Sequence, residues 1–237
     1  MTALRNALLP AALALLCGCG GLDSAGTGAP AAAAPVLHVG DRWVYRASDG
    51  FRAPLTWTET HEVVAVAPGA ITIRITESGP SARGAREEVW ATPGELVSGP
   101  VFDEETRRFM PSAKIYAFPM SPGQRWNQWV DNVNAATQKP GQINRYVSVG
   151  GWQKVATPAG TFDAIALRVL MRLDDEEFWR GPTECNYLVY YAPDVGAMVR
   201  ADKNAQYWEK GDRRDGLGAI QSQHATVELA SYTRGVN

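Results

Sequence analysis

Two-residue alternation dominates this chain. Ile71, Ile73 and Ile75 alternate with Thr72, Arg74 and Thr76, and Ile165, Leu167, Val169, Met171 and Leu173 alternate with mostly smaller or polar neighbours. Successive side chains of a strand point to opposite faces, so each pattern predicts a half-buried β-strand. The same reading places further strands near residues 42–47, 55–66, 87–91, 114–118, 145–149, 187–191, 197–201 and 225–232. No apolar stripe at i, i+3, i+4, i+7 persists over three turns, so little helix is expected. Turn pairs separate the strands: Pro68-Gly69, Gly79-Pro80, Pro93-Gly94, Gly99-Pro100, Pro122-Gly123, Pro140-Gly141 and Gly181-Pro182, with Pro158-Ala159-Gly160 as a triplet. The prediction is an all-β fold, a strongly curved antiparallel sheet of about ten strands forming a half-barrel, barrel or sandwich. A flat sheet of that width would leave one apolar face wet.

One stretch repeats. Gly40-Asp41-Arg42-Trp43 returns as Gly123-Gln124-Arg125-Trp126, an offset of 83 residues, and each copy precedes a strand, a Pro-containing turn and an alternating strand (63–75 and 155–169). The offset exceeds solenoid repeats. A duplicated half-sheet explains it; two unrelated hairpins sharing turn chemistry is the alternative.

The amino terminus changes the picture from a plain β domain to an exported one. Residues 1–18 read as a signal peptide, with Arg5 as the only basic side chain and an apolar run over 7–16 too short to span a bilayer as a helix. The run ends in Leu16-Cys17-Gly18-Cys19-Gly20, which resembles the bacterial lipobox. Cys19 fits the modified position better than Cys17, because the small Gly18 then precedes the cut. A secreted protein with an incidental Cys pair is the alternative. The resemblance implies acyl chains such as palmitate on Cys19, an anchor worth about 0.8 kcal/mol per buried methylene. Gly20 in place of Asp after Cys19 implies, by likeness to Gram-negative sorting, an outer-membrane lipoprotein facing the periplasm. Residues 19–35, rich in Gly, Ala and Pro, read as a flexible tether with a reach of roughly 20–24 Å. Residues 36–237 read as one β domain.

Composition narrows the partners. The 237 residues are 45% hydrophobic and 20% charged, enough for one sizeable core. Their formal charge of -2, or -3 once Arg5 leaves with the signal, gives no electrostatic footprint for nucleic acid. After acylation of Cys19, Cys185 is the one thiol left, so no internal disulfide is expected; a small buried hydrophobe is its ordinary role.

Candidate chemistry is sparse. His38, His61 and His224 are dispersed without metal-ligand spacing, and no metal or cofactor is expected. Glu59 and His61 share strand parity and form a possible general-base pair, with a hydrogen-bonded core histidine as the ordinary alternative. The run Asp174-Asp175-Glu176-Glu177 lacks the spacing of a calcium loop and reads as a solvated hairpin tip. Glu87-Glu88 and Glu104-Glu105 are adjacent residues pointing to opposite faces, so neither pair serves as acid and base. Nucleophile-elbow, P-loop and dinucleotide-binding motifs are absent. The distinctive feature is aromatic content, 8 Trp, 8 Tyr and 6 Phe. It predicts core packing across a curved sheet or an apolar groove for a hydrophobic ligand, with Trp57, His61 and Trp90 as candidate lining.

Residues 155–164 (VATPAGTFDA) and 190–200 (YYAPDVGAMVR), with Val39-Gly40-Asp41-Arg42-Trp43-Val44-Tyr45 and 118–126 (FPMSPGQRW), resemble uncharacterised bacterial envelope lipoproteins carrying V-P-A-G-T-F-D-A and W-Y-A-P-x-V-G motifs. Thr157 departs from the usual apolar residue. The resemblance implies a curved antiparallel sheet like the half-barrels of lipoprotein-localisation factors, and no catalytic residues. These observations point to a non-enzymatic, membrane-anchored envelope lipoprotein that binds a hydrophobic small molecule or an envelope protein. The alternatives are a scaffold lipoprotein acting through exposed strand edges and an envelope hydrolase using a residue such as His61 or Cys185.

Overall fold

The computed structural model describes residues 30–102, 105–174, 179–210 and 218–235. They form twelve strands in chain order: β1 (Arg42–Asp49), β2 (Leu55–Ala67), β3 (Ala70–Ser78), β4 (Ala85–Thr92), β5 (Glu95–Gly99), β6 (Arg107–Lys114), β7 (Arg125–Asn134), β8 (Pro140–Thr157), β9 (Gly160–Asp174), β10 (Thr183–Ala192), β11 (Ala197–Glu209) and β12 (Ala219–Thr233). Every strand pairs antiparallel with its sequence neighbours, and β12 closes on β1. The fold is a closed up-and-down barrel, with no helix among the described residues. Closure settles the choice between half-barrel, barrel and sandwich. It also removes the free sheet edges that strand addition needs.

Alternation puts the apolar set inside. On β9, Leu167 stands opposite Val149 of β8 and Val189 of β10, and Val169 opposite Val147 and Tyr187. The outward residues Arg172, Glu184 and Asn186 are exposed, and outward Arg168 donates to Asn186 Oδ1 at 2.8 Å. One apolar cluster centres on Ile143, Val147, Leu167, Val169 and Met171. A second joins Trp43, Tyr45, Val63, Ile71, Val155, Val199 and Leu229.

Three strands depart from the expected pattern. Residues 115–118, expected to continue a strand from Lys114, are irregular, while β5, β6 and β7 carry no predicted strand. The reason is the chemistry of the interior. On β7 the inward set is Trp126, Gln128, Val130, Asn132 and Asn134, with Asn132 and Asn134 buried; on β6 it includes Arg107, also buried. Polar side chains in the inward phase erase the hydrophobic period that marks the other strands.

The repeated GxRW stretch occupies equivalent places in two successive sets of strands. Gly40 N–H donates to Val63 O and Val63 N–H to Asp41 O (2.8 and 2.9 Å), as Gly123 N–H does to Val149 O and Val149 N–H to Gln124 O (2.9 and 2.9 Å). Gly40 and Gly123 both have positive φ, 89° and 85°. A β-bulge follows at Val63/Ala65 and at Val149/Trp152. The first copy opens β1–β2–β3 and the second β7–β8–β9, half a barrel apart, so strand order and register match a duplicated half-sheet.

The chain joins the barrel earlier than Val36. Ala32 exchanges backbone hydrogen bonds with Met120 at 2.7 and 2.8 Å and is buried, and Trp152 Nε1–H donates to Pro30 O at 2.9 Å. The carboxyl end of the expected tether is therefore docked on the body. The signal peptide, Cys19, the rest of the tether, Glu104 and the acidic residues 175–177 lie outside the described residues.

Candidate functional site

Inside the barrel lies a cavity of about 270 Å³. It runs from Pro35, Pro93 and Tyr116 at one end of the lumen to Arg83, Val101 and Phe102 at the other. Trp57 and His61 on β2 and Trp90 on β4 all line it, so the three candidate groove residues meet around one space. That space is a lumen of mixed character. Trp43, Trp57, Trp90, Leu96 and Val189 supply apolar wall; Glu59, Arg86, Glu88, Arg145 and Lys203 supply charge.

Strand parity assembles the first polar group. Trp57, Glu59 and His61 are successive inward residues of β2. Glu59 accepts from Trp57 Nε1–H at 2.8 Å through one oxygen and meets His61 Nε2 at 2.8 Å through the other. Arg86 on β4 reaches the second oxygen at 3.6 Å and pairs also with Glu77. Burial pushes the Glu59 carboxyl up. The hydrogen bond and charge of His61, the charge of Lys203 and the Trp57 N–H outweigh it, holding Glu59 well below the usual carboxylate range. The His61 ring also packs edge-on against Tyr45 at 4.9 Å between centroids. His61 is thus a hydrogen-bonded interior histidine.

The second polar group sits on the opposite wall. Arg145 of β8 is 6% exposed and stands across from Gln128 of β7 and Met171 of β9. Its Nη1 donates to the Lys114 carbonyl at 2.7 Å. Burial pushes its pKa down to about 10, the nearby Tyr116 opposing, so it stays charged at neutral pH. Burial likewise raises the Tyr116 hydroxyl to about 12, with the Arg145 charge opposing. Tyr116 packs against Phe118 and Tyr191 at 5.6 and 5.4 Å between centroids, and Phe118 against Tyr191 at 5.2 Å. Glu88 is the carboxylate nearest in influence to Tyr116 and holds Trp90 Nε1–H at 3.0 Å.

The remaining candidates are elsewhere. Cys185 is buried on β10 between Met171 and Ala205 and does not line the cavity, so the structure does not bring it together with His61. His38 caps a turn with Asp41, its backbone N–H donating to Asp41 Oδ2 at 2.9 Å, and His224 Nδ1 lies 2.7 Å from Asn204 Oδ1 on the outer face. Glu87 faces outward and pairs with Arg74 at 3.0 Å.

Sequence reasoning passed over Arg145, Tyr116, Tyr191 and Lys203. A usable signal existed for two of them. Arg145 falls in the apolar phase between Ile143 and Val147, and Lys203 between Ala201 and Ala205. A charge in the inward phase of a strand either pairs inside the protein or serves a ligand.

No protein-family profile matches the chain, and no curated protein sequence does. Among solved structures, a candidate exported protein with a YmcC-like fold from Bacteroides fragilis NCTC 9343 aligns with a TM-score of 0.54 at 13% identity, over 86% of this chain and 100% of that one. The likeness is one of fold. A candidate lipoprotein from Parabacteroides distasonis ATCC 8503 gives a TM-score of 0.46 at 14% identity, over 84% of this chain and 97% of that one. The stretches 155–164 and 190–200 that carry the motif resemblance fall on the β8–β9 and β10–β11 turns. There Val195 O accepts from Trp43 Nε1–H at 3.1 Å, and the N–H groups of Val195 and Gly196 bond Ala192 O. The first turn is likewise tied to β12, Ala159 N–H donating to Leu229 O at 3.1 Å.

Proposed function

We propose that this protein is a non-enzymatic envelope lipoprotein, anchored through Cys19 to the outer membrane on its periplasmic side, whose barrel lumen takes up a small hydrophobic or amphipathic molecule. The observation that carries the reading is the cavity of about 270 Å³ enclosed by the barrel and walled by Trp43, Trp57 and Trp90 beside ordered polar groups. The cavity lies near the lower end of ligand pockets, which are mostly apolar with a few placed polar groups. The signal and lipobox-like stretch supports export and anchoring, and the exported character given to the Bacteroides protein of like fold agrees with it.

The non-enzymatic part rests on the state of the candidate catalytic groups. His61 is held by Glu59 and Tyr45, and Cys185 is outside the cavity lining. Ligand uptake is tested by native mass spectrometry of residues 20–237 exported without the acyl anchor. The truncation begins at Gly20 because the chain from Pro30 onward packs on the barrel. Extra mass that extracts into organic solvent is the expected result. An apo mass, together with no saturable uptake of an apolar fluorophore, would refute the lumen as a binding site.

A further inference from the structure

Arg145 is a buried guanidinium without a carboxylate partner among the described residues. Its strand neighbours across the sheet are Gln128 and Met171, and its hydrogen bond goes to the Lys114 carbonyl. The carboxylates of the lumen are engaged elsewhere. Glu59 holds Trp57 and His61, Glu77 pairs with Arg86, and Glu88 holds Trp90. Buried charges are ordinarily paired, because leaving water costs several kcal/mol per ion unless a counter-charge restores it.

A second, independent observation lies in the same cavity. The Tyr191 hydroxyl is buried, the residue being 1% exposed, and has no hydrogen-bond partner among the described residues. Tyr191 packs at a tilt against Tyr116, and the cation acting on its hydroxyl is Arg234. A buried hydroxyl left unpaired costs about 1–3 kcal/mol, so the lumen is lined by an unanswered positive charge and, at another level of the barrel, an unanswered hydroxyl. Across the lumen, Lys203 faces Tyr187 at 5.9 Å from the ring centroid and has no carboxylate at ion-pair distance among the described residues. Trp43, Leu96, Val101 and Val189 provide apolar wall in the same cavity.

We infer that the lumen selects an amphipathic organic anion, a carboxylate or phosphate monoester whose head is bound by Arg145 and whose short apolar tail lies against the Trp43 and Val189 wall. This deepens the lumen-binding reading above and rests on it. Arg145 supplies charge-assisted donors, and Glu88, which also lines the lumen, disfavours a head large enough to reach it. The shared chemistry is an anionic head on an apolar body; its source is decided by experiment.

The test is calorimetric titration of the full chain in phosphatidylcholine nanodiscs, with protein-free nanodiscs as blank. The probes are octanoate, octyl phosphate, octanol and inorganic phosphate. Octanoate or octyl phosphate binding at least roughly ten-fold tighter than octanol is the expected result, and whichever of the two is tighter identifies the head. Arg145→Met lowers anion affinity roughly ten- to a hundred-fold while leaving octanol unchanged. Should Arg145→Met fail to fold, Arg145→Lys carries the test. It keeps a positive charge in the wall but loses the planar fork of donors that matches a carboxylate or phosphate, so anion affinity falls about three- to ten-fold while octanol is unchanged. Octanol binding as tightly as the anions would overturn anion selection and leave the lumen-binding reading standing. Inorganic phosphate binding as tightly as octyl phosphate would overturn the apolar half of the assignment. Failure of all four probes, octanol included, would overturn the inference together with the reading beneath it.

Discussion

Glu59→Gln probes the polar group at the heart of the lumen. The wild-type carboxylate is 7% exposed, accepts from Trp57 and His61 at 2.8 Å each, and faces Arg86 at 3.6 Å. Glutamine keeps an acceptor for Trp57 but turns an amide NH₂ toward Arg86, replacing charge-assisted bonds by neutral ones or by donor facing donor. Bonds to charged groups contribute about 1.5–3 kcal/mol and neutral ones about 0.5–1.5. Part of that difference returns through the lower desolvation cost of the amide, leaving a net destabilisation of about 1–2 kcal/mol at pH 7. For a domain of this size that is roughly 2–8 °C in Tm. The pH dependence gives the sharper test. Glu59 is held below its unfolded value, so its stabilisation is fully present above about pH 4.3 and is lost as pH falls through the folded value. The gap between wild type and Glu59→Gln contributed by this carboxylate therefore narrows as pH falls from about 4.3 toward 3. Urea denaturation followed by tryptophan fluorescence at pH 7, 5, 4 and 3 measures it, and carboxylates common to both proteins cancel in the difference. A gap as wide at pH 3 as at pH 7, or a variant as stable as wild type at pH 7, would refute the reasoning.

Three further outcomes are expected. Cys19→Ala moves the chain from the membrane fraction to the soluble periplasmic fraction; continued sedimentation with membranes after a high-salt wash counts against acylation. Leu167→Ala removes a side chain 1% exposed between Val149 and Val189 and lowers unfolding free energy by about 2–5 kcal/mol; a loss under 1 kcal/mol in urea titration would show that this wall is loosely packed. Deleting residues 19–35 destabilises the barrel by about 1–3 kcal/mol, because it removes the Ala32–Met120 bridge and the acceptor of Trp152; an unchanged urea midpoint would show that these residues act as a tether alone.

The legible part of the fold was the part whose inner face is apolar. β3 and β9 announce themselves through Ile71, Ile73 and Ile75 and through the alternation from Ile165 to Leu173, because both face the apolar clusters. β6 and β7 bring Arg107, Asn132 and Asn134 inward, where Arg107 Nη1 donates to Asn132 Oδ1 at 2.9 Å and Nη2 pairs with Glu105 at 2.7 Å. Each polar group is answered by a partner on a strand or loop that periodicity cannot name. The same limit governs the cavity. Trp57, His61 and Trp90 share inward parity and were recognisable as neighbours of one space. Arg145 and Tyr116 meet because β6, β7 and β8 are successive neighbours and the chain after Lys114 turns in toward Arg145, a relation that side-chain periodicity does not name.

Closure also connects fold to function. Eight strands give an interior just wide enough for side chains to fill, and this barrel has twelve. Added circumference leaves volume that must be taken by longer side chains, by water or by a ligand. The chain uses the first remedy at one end, where Arg107, Asn132, Asn134 and Arg180 are buried together. It uses Trp and Tyr along the rest, yet about 270 Å³ stays unfilled. An unused void of that size would be trimmed most cheaply by a larger apolar residue at Ala225, which is small and lines it. A small residue there keeps the space open. Substituting Ala225→Leu therefore separates packing from binding: filling the void raises stability or leaves it within about 1 kcal/mol of wild type, while uptake of octanol and octanoate falls together. Unchanged uptake would mean that the ligand site lies outside the lumen, and the functional argument would have to be rebuilt on another surface.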